Sequence, residues 1–320
     1  MAYIIIPMIL YADNTNFARR VLTQPCEWRP VATRPDNLAL QFLMEKLYNK
    51  KKLYTAVLSS PRRWQYLMIV DEATQSHYDI MVELAQEGLE LPAGVLCLAG
   101  HGRNFHGQRN RSWAGLDGNI HLVVWLKPDA GKKINPVGFT ILSAVSVVET
   151  IDDLPGLKNR AGIKWVNDIL IDGAKISGFL THTQNLEGQV TGAILGIGLN
   201  VEATPDVPTD SFVSRTISLR DLQPDQKLCN IASVLNGLLN RLSDNYHHLE
   251  TKGYACLLDI YRARNVIMGH MVEILEEPLQ GKSDKIHAMG QVLNIGENLE
   301  LFLDSQSHPV IRGRLRFKKD

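Results

Sequence analysis

The chain is predicted to be α+β: a mixed-sheet domain carrying helices, followed by a small all-β domain. Three observations predict this. Apolar runs of strand length alternate with helical periodicities through most of the chain. From Met268 onward the pattern changes to short strands separated by turns. A length of 320 residues suits two domains better than one or three.

The elements follow in order. Residues 3–11 (YIIIPMILY) form an apolar, strand-like start broken by Pro7, and residues 15–37 are polar. Over residues 38–48, Leu40, Leu43, Met44 and Leu47 fall at i, i+3, i+4 and i+7, one face of a packing helix. Residues 67–70 (LMIV) read as a buried strand. A helix over 76–88 follows, with Ile80, Met81 and Leu84 on one face and Gly88 as its stop. Residues 94–99 and 120–126 read as strands, and 137–150 as an amphipathic helix carrying Val137, Ile141, Ala144, Val145 and Val148. Residues 162–171 and 175–181 read as a hairpin closed by Asp172-Gly173, a strong two-residue turn signal. A glycine-punctuated strand spans 191–201, a Pro/Asp/Thr-rich loop 203–211, and helices 228–247 and 254–263. Short strands after Met268 complete the chain. The expected division is an N-terminal extension at 1–63, a main domain at 64–265 and a small β domain at 266–320.

Composition narrows the function. Hydrophobic residues make up 45% and charged residues 21%, which excludes disorder of the whole chain. Lys+Arg and Asp+Glu balance at 34 each, which argues against a nucleic-acid coat or a membrane-surface protein. The longest apolar run is far short of the roughly 20 residues that a membrane span needs. It has neither a basic flank before it nor a cleavage-like site after it, so no signal peptide is expected. Cys26, Cys97, Cys229 and Cys256 are isolated and form no C-x-x-C pair, so neither a zinc site nor a disulfide framework is expected. A reduced, cytoplasmic setting is the expectation.

Three segments carry chemistry. Residues 100–113 (GHGRNFHGQRNRSW) hold three glycines and three arginines, with no acid between Glu90 and Asp117. Glycines let the backbone turn its amides inward, and guanidinium forks suit phosphate oxygens, so the loop can wrap an anion such as a nucleotide phosphate. A solvated basic loop is the alternative. Residues 164–178 place Lys164, Asn167, Asp168 and Lys175 near one sheet surface, where a buried lysine needs an anionic partner. A salt-bridged surface hairpin is the alternative here. Residues 196–201 (GIGLNV) put glycines inside a strand, a mark of close approach by a ligand or another backbone, and end in Asn200, able to read a base edge.

In order and spacing these segments resemble the biotin–protein ligase family of the biotin/lipoate protein ligase superfamily. The resemblance rests on Arg111-Ser-Trp113, Gly118-Asn119, Lys164-Trp165-Val166-Asn167-Asp168, Lys175 eleven residues on with Gly178, and Gly196 to Val201. It runs from about Leu67 to the C-terminus and implies that the terminal β domain is an SH3-like barrel. It further implies ATP-dependent formation of an acyl-adenylate from biotin, with Mg²⁺ shielding the phosphates, and then transfer of the acyl group to a lysine of an acceptor carrier protein. By that resemblance Lys175 holds the carboxylate and the α-phosphate, with Arg103 and Arg111 beside it in the catalytic set. Arg109 joins them in clamping the phosphates. Trp113 lies against adenine, Asn200 contacts the base, and Asn119, Lys164, Asn167 and Asp168 complete the adenylate site, Asn167 or Asp168 supporting metal or ribose. Thr74, Gln75, Gly100, Gly102, Gly178, Gly196 and Gly198 are placed about the acid. No residue is expected to ligate a metal directly.

The chain departs from the family mainly at the acid pocket. Ala73-Thr74-Gln75 stands where the family has Ser-Thr-Asn, so an alanine replaces the serine that meets the biotin ureido group. Cys97-Leu98-Ala99 lacks the glutamine that precedes the Gly-Arg loop. His101 replaces an arginine, the loop is about five residues longer, and Val166 replaces a proline. These changes leave lipoate or octanoate open as the acid, although the lipoate ligases' R-R-x-x-G-G-G motif is absent. A non-catalytic acyl- or nucleotide-binding paralogue and an Arg-rich RNA-binding loop are the readings from other classes. Residues 1–63 show no helix-turn-helix module, so no DNA binding is expected, and a homodimer is compatible with the family.

Overall fold

The computed structural model describes residues 6–60, 63–129, 131–207, 212, 215–223, 225–276 and 285–318. The first residues of the apolar start at 3–11 and the end of the loop at 203–211 lie outside them.

A ten-stranded mixed sheet forms the body. Its strands are β1 (Ile6–Ala12), β2 (Arg29–Pro30), β3 (Tyr54–Ser60), β4 (Tyr66–Ala73), β5 (Val95–Gly102), β6 (Ile120–Leu126), β7 (Ala161–Lys164), β8 (Asp168–Ile171), β9 (Ala174–Leu186) and β10 (Gln189–Leu199). They lie in the order β2-β3-β1-β4-β5-β6-β10-β9-β8-β7. The parallel pairs are β1 with β4 and β4 with β5; the others run antiparallel.

Strand alternation divides the core in two. Leu67, Ile69, Leu122 and Val124 face helices α1 (Thr15–Val21), α4 (Val137–Asp152), α6 (Ile231–Lys252) and α7 (Ala255–Ala263), with Leu219 of the short α5 (Leu219–Leu222) in the same cluster. Met68, Val70, Val123 and Trp125 face α2 (Leu38–Tyr48) and α3 (His77–Gln86). This period-2 split is what sheet geometry requires of strands buried on both faces. The helix expected over 38–48 forms with those bounds, and Asn37 caps it by accepting from the Leu40 amide at 2.9 Å.

Three expectations need correction. The polar stretch 15–37 contains α1, whose first turn is fixed by Asn14 Oδ1 accepting from the Asn16 and Phe17 amides. Strand β3, with no strand expected over it, joins β1 to extend the sheet. Strand 162–171 is two strands, because the chain turns at Trp165–Val166–Asn167 before β8 pairs back onto β7 through Lys164 and Asp168.

The small domain is the antiparallel sheet β13-β12-β11-β14, built from β11 (Met271–Leu275), β12 (Ile286–Ile295), β13 (Leu301–Leu303) and β14 (Arg314–Phe317). It is fastened to the main sheet at the 165–167 turn. Trp165 Nε1 donates to the Leu299 carbonyl at 2.6 Å, while Tyr261 of α7 steadies the same turn from the main-domain side, its Oη donating to the Val166 carbonyl at 3.0 Å. Among the described residues, no helix is long and apolar enough to cross a membrane.

Candidate active site

A cleft opens on the α3 side of the sheet, floored by β5, β6, β9 and β10 and covered by the glycine- and arginine-rich loop. That loop is a hairpin folded on itself. The Gly102 amide donates to the Gly115 carbonyl, the Trp113 amide to Phe105 and the Gly107 amide to Arg111. Phe105 anchors it, packed so closely on Gly102 and Gly115 that a Cβ at either would sit 2.7 Å from its ring.

The centre of the cleft is Lys175. Its Nζ lies 2.7 Å from Asp168 Oδ1 and 5.6 Å from the centre of the Trp113 ring. Burial alone would raise the Asp168 carboxyl, but Lys175, with Lys164 and Arg111 adding positive charge, holds it below the usual carboxylate range. Trp113 lies flat over two glycines: a Cβ on Gly198 would meet its Cζ2 at 2.4 Å, and one on Gly178 its Cζ3 at 3.5 Å. Gly196 admits Tyr78 in the same way. The glycines of GIGLNV are therefore sites of close side-chain approach.

Two lobes meet at this point. The first is lined by Ser76, His77 and Tyr78 of the α3 start, by Phe105, His121 and Val123, and by Gly196. The second lies towards the small domain, with Lys164, Asn200, Asp206, Thr216, Gly313 and Arg314 on its walls. Arg111, Trp113, Asn167, Asp168 and Lys175 line both. In the second lobe Lys164 is buried and donates to the Phe212 carbonyl at 2.6 Å. Asn200 is 1% exposed. Its Nδ2 donates to the Ile217 carbonyl at 3.0 Å, while its Oδ1 is buried without a partner. Such an acceptor needs a donor to offset its desolvation, and an amine of a bound base can supply one.

Two buried imidazoles line the first lobe. Trp113 Nε1 donates to His121 Nδ1 at 3.3 Å, and His121 Nε2 meets the Leu116 carbonyl at 3.0 Å, so His121 is the neutral Nε2–H tautomer with both nitrogens used. Burial pushes its pKa down to about 4. His77 is pushed down to about 3 by burial, with His121 and Lys51 adding to the effect, and its Nδ1 has no partner. At the rim His106 Nε2 is 2.8 Å from Asp79 Oδ1, which ties the loop to α3.

The structure brings together Lys175, Asp168, Asn167, Lys164, Arg111, Trp113, Asn200, Gly178, Gly196 and Gly198. It does not bring the other expected residues into these two lobes. The loop hairpin leaves Arg103 exposed, and turns Arg109, at φ 56°, into a neighbouring groove beside Trp165 and Arg312. Thr74 and Gln75 are exposed ahead of α3, whose N-cap Ser76 and next residues His77 and Tyr78 line the lobe instead. Gly100 makes room for Phe17 and Gly102 for Phe105, so both serve packing.

Asn119 is also a positioning residue. Fully buried, its Oδ1 accepts from the Val201, Glu202 and Ala203 amides at 2.9, 3.2 and 3.0 Å, and its Nδ2 donates to the Ala203 carbonyl at 2.8 Å. It fixes the chain just after Asn200. Asn119→Ala strands the Val201 and Ala203 amides, while the Glu202 amide keeps the Gly118 carbonyl at 3.1 Å, and the expected result is a loss of about 2–3 kcal/mol of stability, read as a lower denaturant midpoint at unchanged m. Ser76, His77, Tyr78 and His121 were not singled out as site residues by their sequence pattern. The one available signal was Ser76 as a helix N-cap.

Residues 87–200 match the model of the Biotin/lipoate A/B protein ligase family. The match includes the loop, Lys164, Asp168, Lys175 and Asn200. The bifunctional ligase/repressor BirA of Bacillus subtilis (strain 168) is 30% identical over 184 residues, 56% of this chain and 55% of that protein. The counterpart from Bacillus spizizenii is 34% identical over 164 residues, 51% of this chain and 49% of that protein. The chain thus spans about half the length of these two relatives. A biotin–[acetyl-CoA-carboxylase] ligase of Mycobacterium tuberculosis is 24% identical over 266 residues, 82% of this chain and 92% of that protein. Among solved structures, the biotin protein ligase from Aquifex aeolicus in complex with biotin and ATP superposes with a TM-score of 0.60. It is 19% identical and the match covers 79% of this chain and 99% of that one, which establishes the shared fold.

Proposed function

We propose that the ligase domain joins biotin to ATP as biotinyl-AMP and passes the acyl group to a lysine of an acceptor carrier protein. One observation carries this reading. The Lys175–Asp168 pair, with Arg111 and Trp113, stands where two lobes meet, one lined by Tyr78, His77 and Val123 and the other by Lys164 and Asn200. An acid in the first lobe and a nucleotide in the second would bring carboxylate and α-phosphate together at the Lys175 ammonium. The relatives named as biotin ligases, and the fold shared with an enzyme crystallised with biotin and ATP, support the same assignment.

In the first step a carboxylate oxygen attacks the α-phosphorus. The bond to the bridging oxygen breaks, and pyrophosphate leaves with the electron pair. Lys175 Nζ stabilises the negative charge that gathers where the two anions join, and Arg111 adds a second cation. Asp168, 2.7 Å from Lys175 Nζ, holds it pointed at the junction. Trp113 and Asn200 orient the base, Asn200 through its unpartnered Oδ1. Among the described residues no cluster of three or more His, Cys, Asp or Glu side chains could hold a metal ion. Mg²⁺ carried by ATP would meet Asp168 and Asp206, the carboxylates lining that lobe. When bound it neutralises phosphate charge. In the second step the acceptor's lysine amine attacks the acyl carbon, AMP leaves, and an amide forms with loss of a proton. The covering loop, tied down by His106 and Asp79, keeps water from the mixed anhydride.

The test is pyrophosphate release from Mg·ATP with biotin, lipoate and octanoate in turn, then mass analysis of a biotin carboxyl carrier domain. Release with biotin and acylation of one lysine are expected. Release with lipoate or octanoate alone would reassign the acid within the same superfamily, and silence with all three would remove the ligase reading.

A further inference from the structure

We infer that His77 is the residue that reads the distal head group of the acid, and that it selects an acid ending in an uncharged hydrogen-bonding group such as a cyclic urea. This rests on the ligase reading above and deepens it. His77 is the first residue of α3, is 4% exposed and lines the first lobe of the cleft. Its Nδ1 is buried with no hydrogen-bond partner, whereas the neighbouring buried His121 has both ring nitrogens engaged. A buried ring nitrogen left alone is unfavourable, and a ligand in this lobe supplies the partner that the protein does not.

The chemistry of that partner follows from the surroundings. A neutral imidazole offers one N–H donor and one lone-pair acceptor. The walls beside it are Tyr78, Phe105 and Val123, with His121 already satisfied. Asp79 and His106, the charged groups nearby, are paired with each other at the rim. Lys51, which acts on His77, is itself paired with Asp13 at 2.7 Å, and Arg111, Asp168 and Lys175 line both lobes and so stand at their junction, so the group complementary to His77 is neutral and carries both a donor and an acceptor. A cyclic urea meets this with its N–H and C=O. The dithiolane of lipoate and the methyl end of octanoate leave Nδ1 as they found it. The alanine at position 73 is then no bar to a ureido substrate, since the polar contact comes from the next turn of chain, at the α3 N-terminus.

The experiment measures kcat and KM for pyrophosphate release with biotin, lipoate and octanoate, for the wild-type chain, His77→Phe and His77→Asn. ATP binding to each protein is measured by calorimetry. With biotin, His77→Phe is expected to lower kcat/KM about 10- to 100-fold, chiefly through KM, with ATP affinity unchanged. His77→Asn, which keeps a donor and an acceptor, should recover most of the loss. Activity with octanoate or lipoate, where measurable, should not fall. The proposal is overturned if His77→Phe leaves the biotin constants unchanged. It is also overturned if both variants lose every acid and ATP equally, which would make His77 a packing residue. A wild-type preference for lipoate or octanoate overturns it while sparing the ligase assignment. Silence of the wild type with all three acids removes the ligase reading itself, and this inference with it.

Discussion

Lys175→Ala is expected to lower the rate of pyrophosphate release about 10²- to 10³-fold, the cost of removing one well-placed charge from a developing anion. The loss should appear mainly in kcat, because the charge Lys175 meets is greatest as carboxylate and α-phosphate join. Binding of ATP should change less, since Lys164, Arg111 and Asn200 still line the second lobe, where the proposal places the nucleotide. The variant also leaves Asp168 without its 2.7 Å partner. Both side chains are about one-fifth exposed, and Lys164 and Arg111 remain as positive neighbours, so the stability cost is discounted to about 1–3 kcal/mol. Its sign with pH is set by the depressed Asp168 pKa in the folded state. The contribution is present in full above the ordinary carboxylate range and is lost as pH falls through the folded value. The stability gap between wild type and Lys175→Ala should therefore be widest near neutrality and shrink below about pH 4. A rate within threefold of wild type, with biotin as the acid, would show that the junction charge is supplied elsewhere.

How much of this was legible in the sequence follows from what each signal encodes. Helix α2 shows its apolar face outright, because Leu40, Leu43, Met44 and Leu47 need no knowledge of the rest of the chain. The Asp172-Gly173 turn is local in the same way, with both residues at positive φ. The break between β7 and β8 was hidden, since Trp165 and Val166 are apolar and read as strand. Their turn is held by Leu299 and Tyr261, some 95 to 134 residues away. Glycine spacing showed that something comes close, but not from which side. Gly100 and Gly102 yield to Phe17 and Phe105, while Gly196 and Gly198 yield to Tyr78 and Trp113 in the cleft. Lys164, Asp168 and Lys175 stood out because charge among apolar strands demands partners. Asn119 entered only through the Gly118-Asn119 resemblance, and the chain at 201–203 satisfies it entirely. His77 carried none, as a histidine at a helix start is unremarkable until its burial is known.

Gly198→Ala should disable the site by displacing one ring. The added Cβ would lie 2.4 Å from Trp113 Cζ2 and 2.5 Å from Cε2, too close for any real contact. The indole has little room to retreat. Its Cζ3 lies over Gly178, its Nε1 is bonded to His121 at 3.3 Å, and Lys175 Nζ stands 5.6 Å from its centre. A shift of about 1 Å breaks the Trp113–His121 bond and moves the surface on which Lys175 rests. Errors of that size in positioning cost about 10²-fold, and kcat/KM for ATP is expected to fall by that factor while the fold survives. Gly196→Ala should act differently, since its Cβ meets Tyr78 at 2.9 Å in the first lobe, where the proposal places the acid, and should raise KM for the acid instead. A double-mutant cycle separates the clash from any other effect. In a Trp113→Phe background the smaller ring leaves space for the new methyl, so Gly198→Ala should then cost less than about tenfold. If the two losses simply add, the methyl is acting on something other than the indole, and the packing of Trp113 against β10 is not what shapes this site.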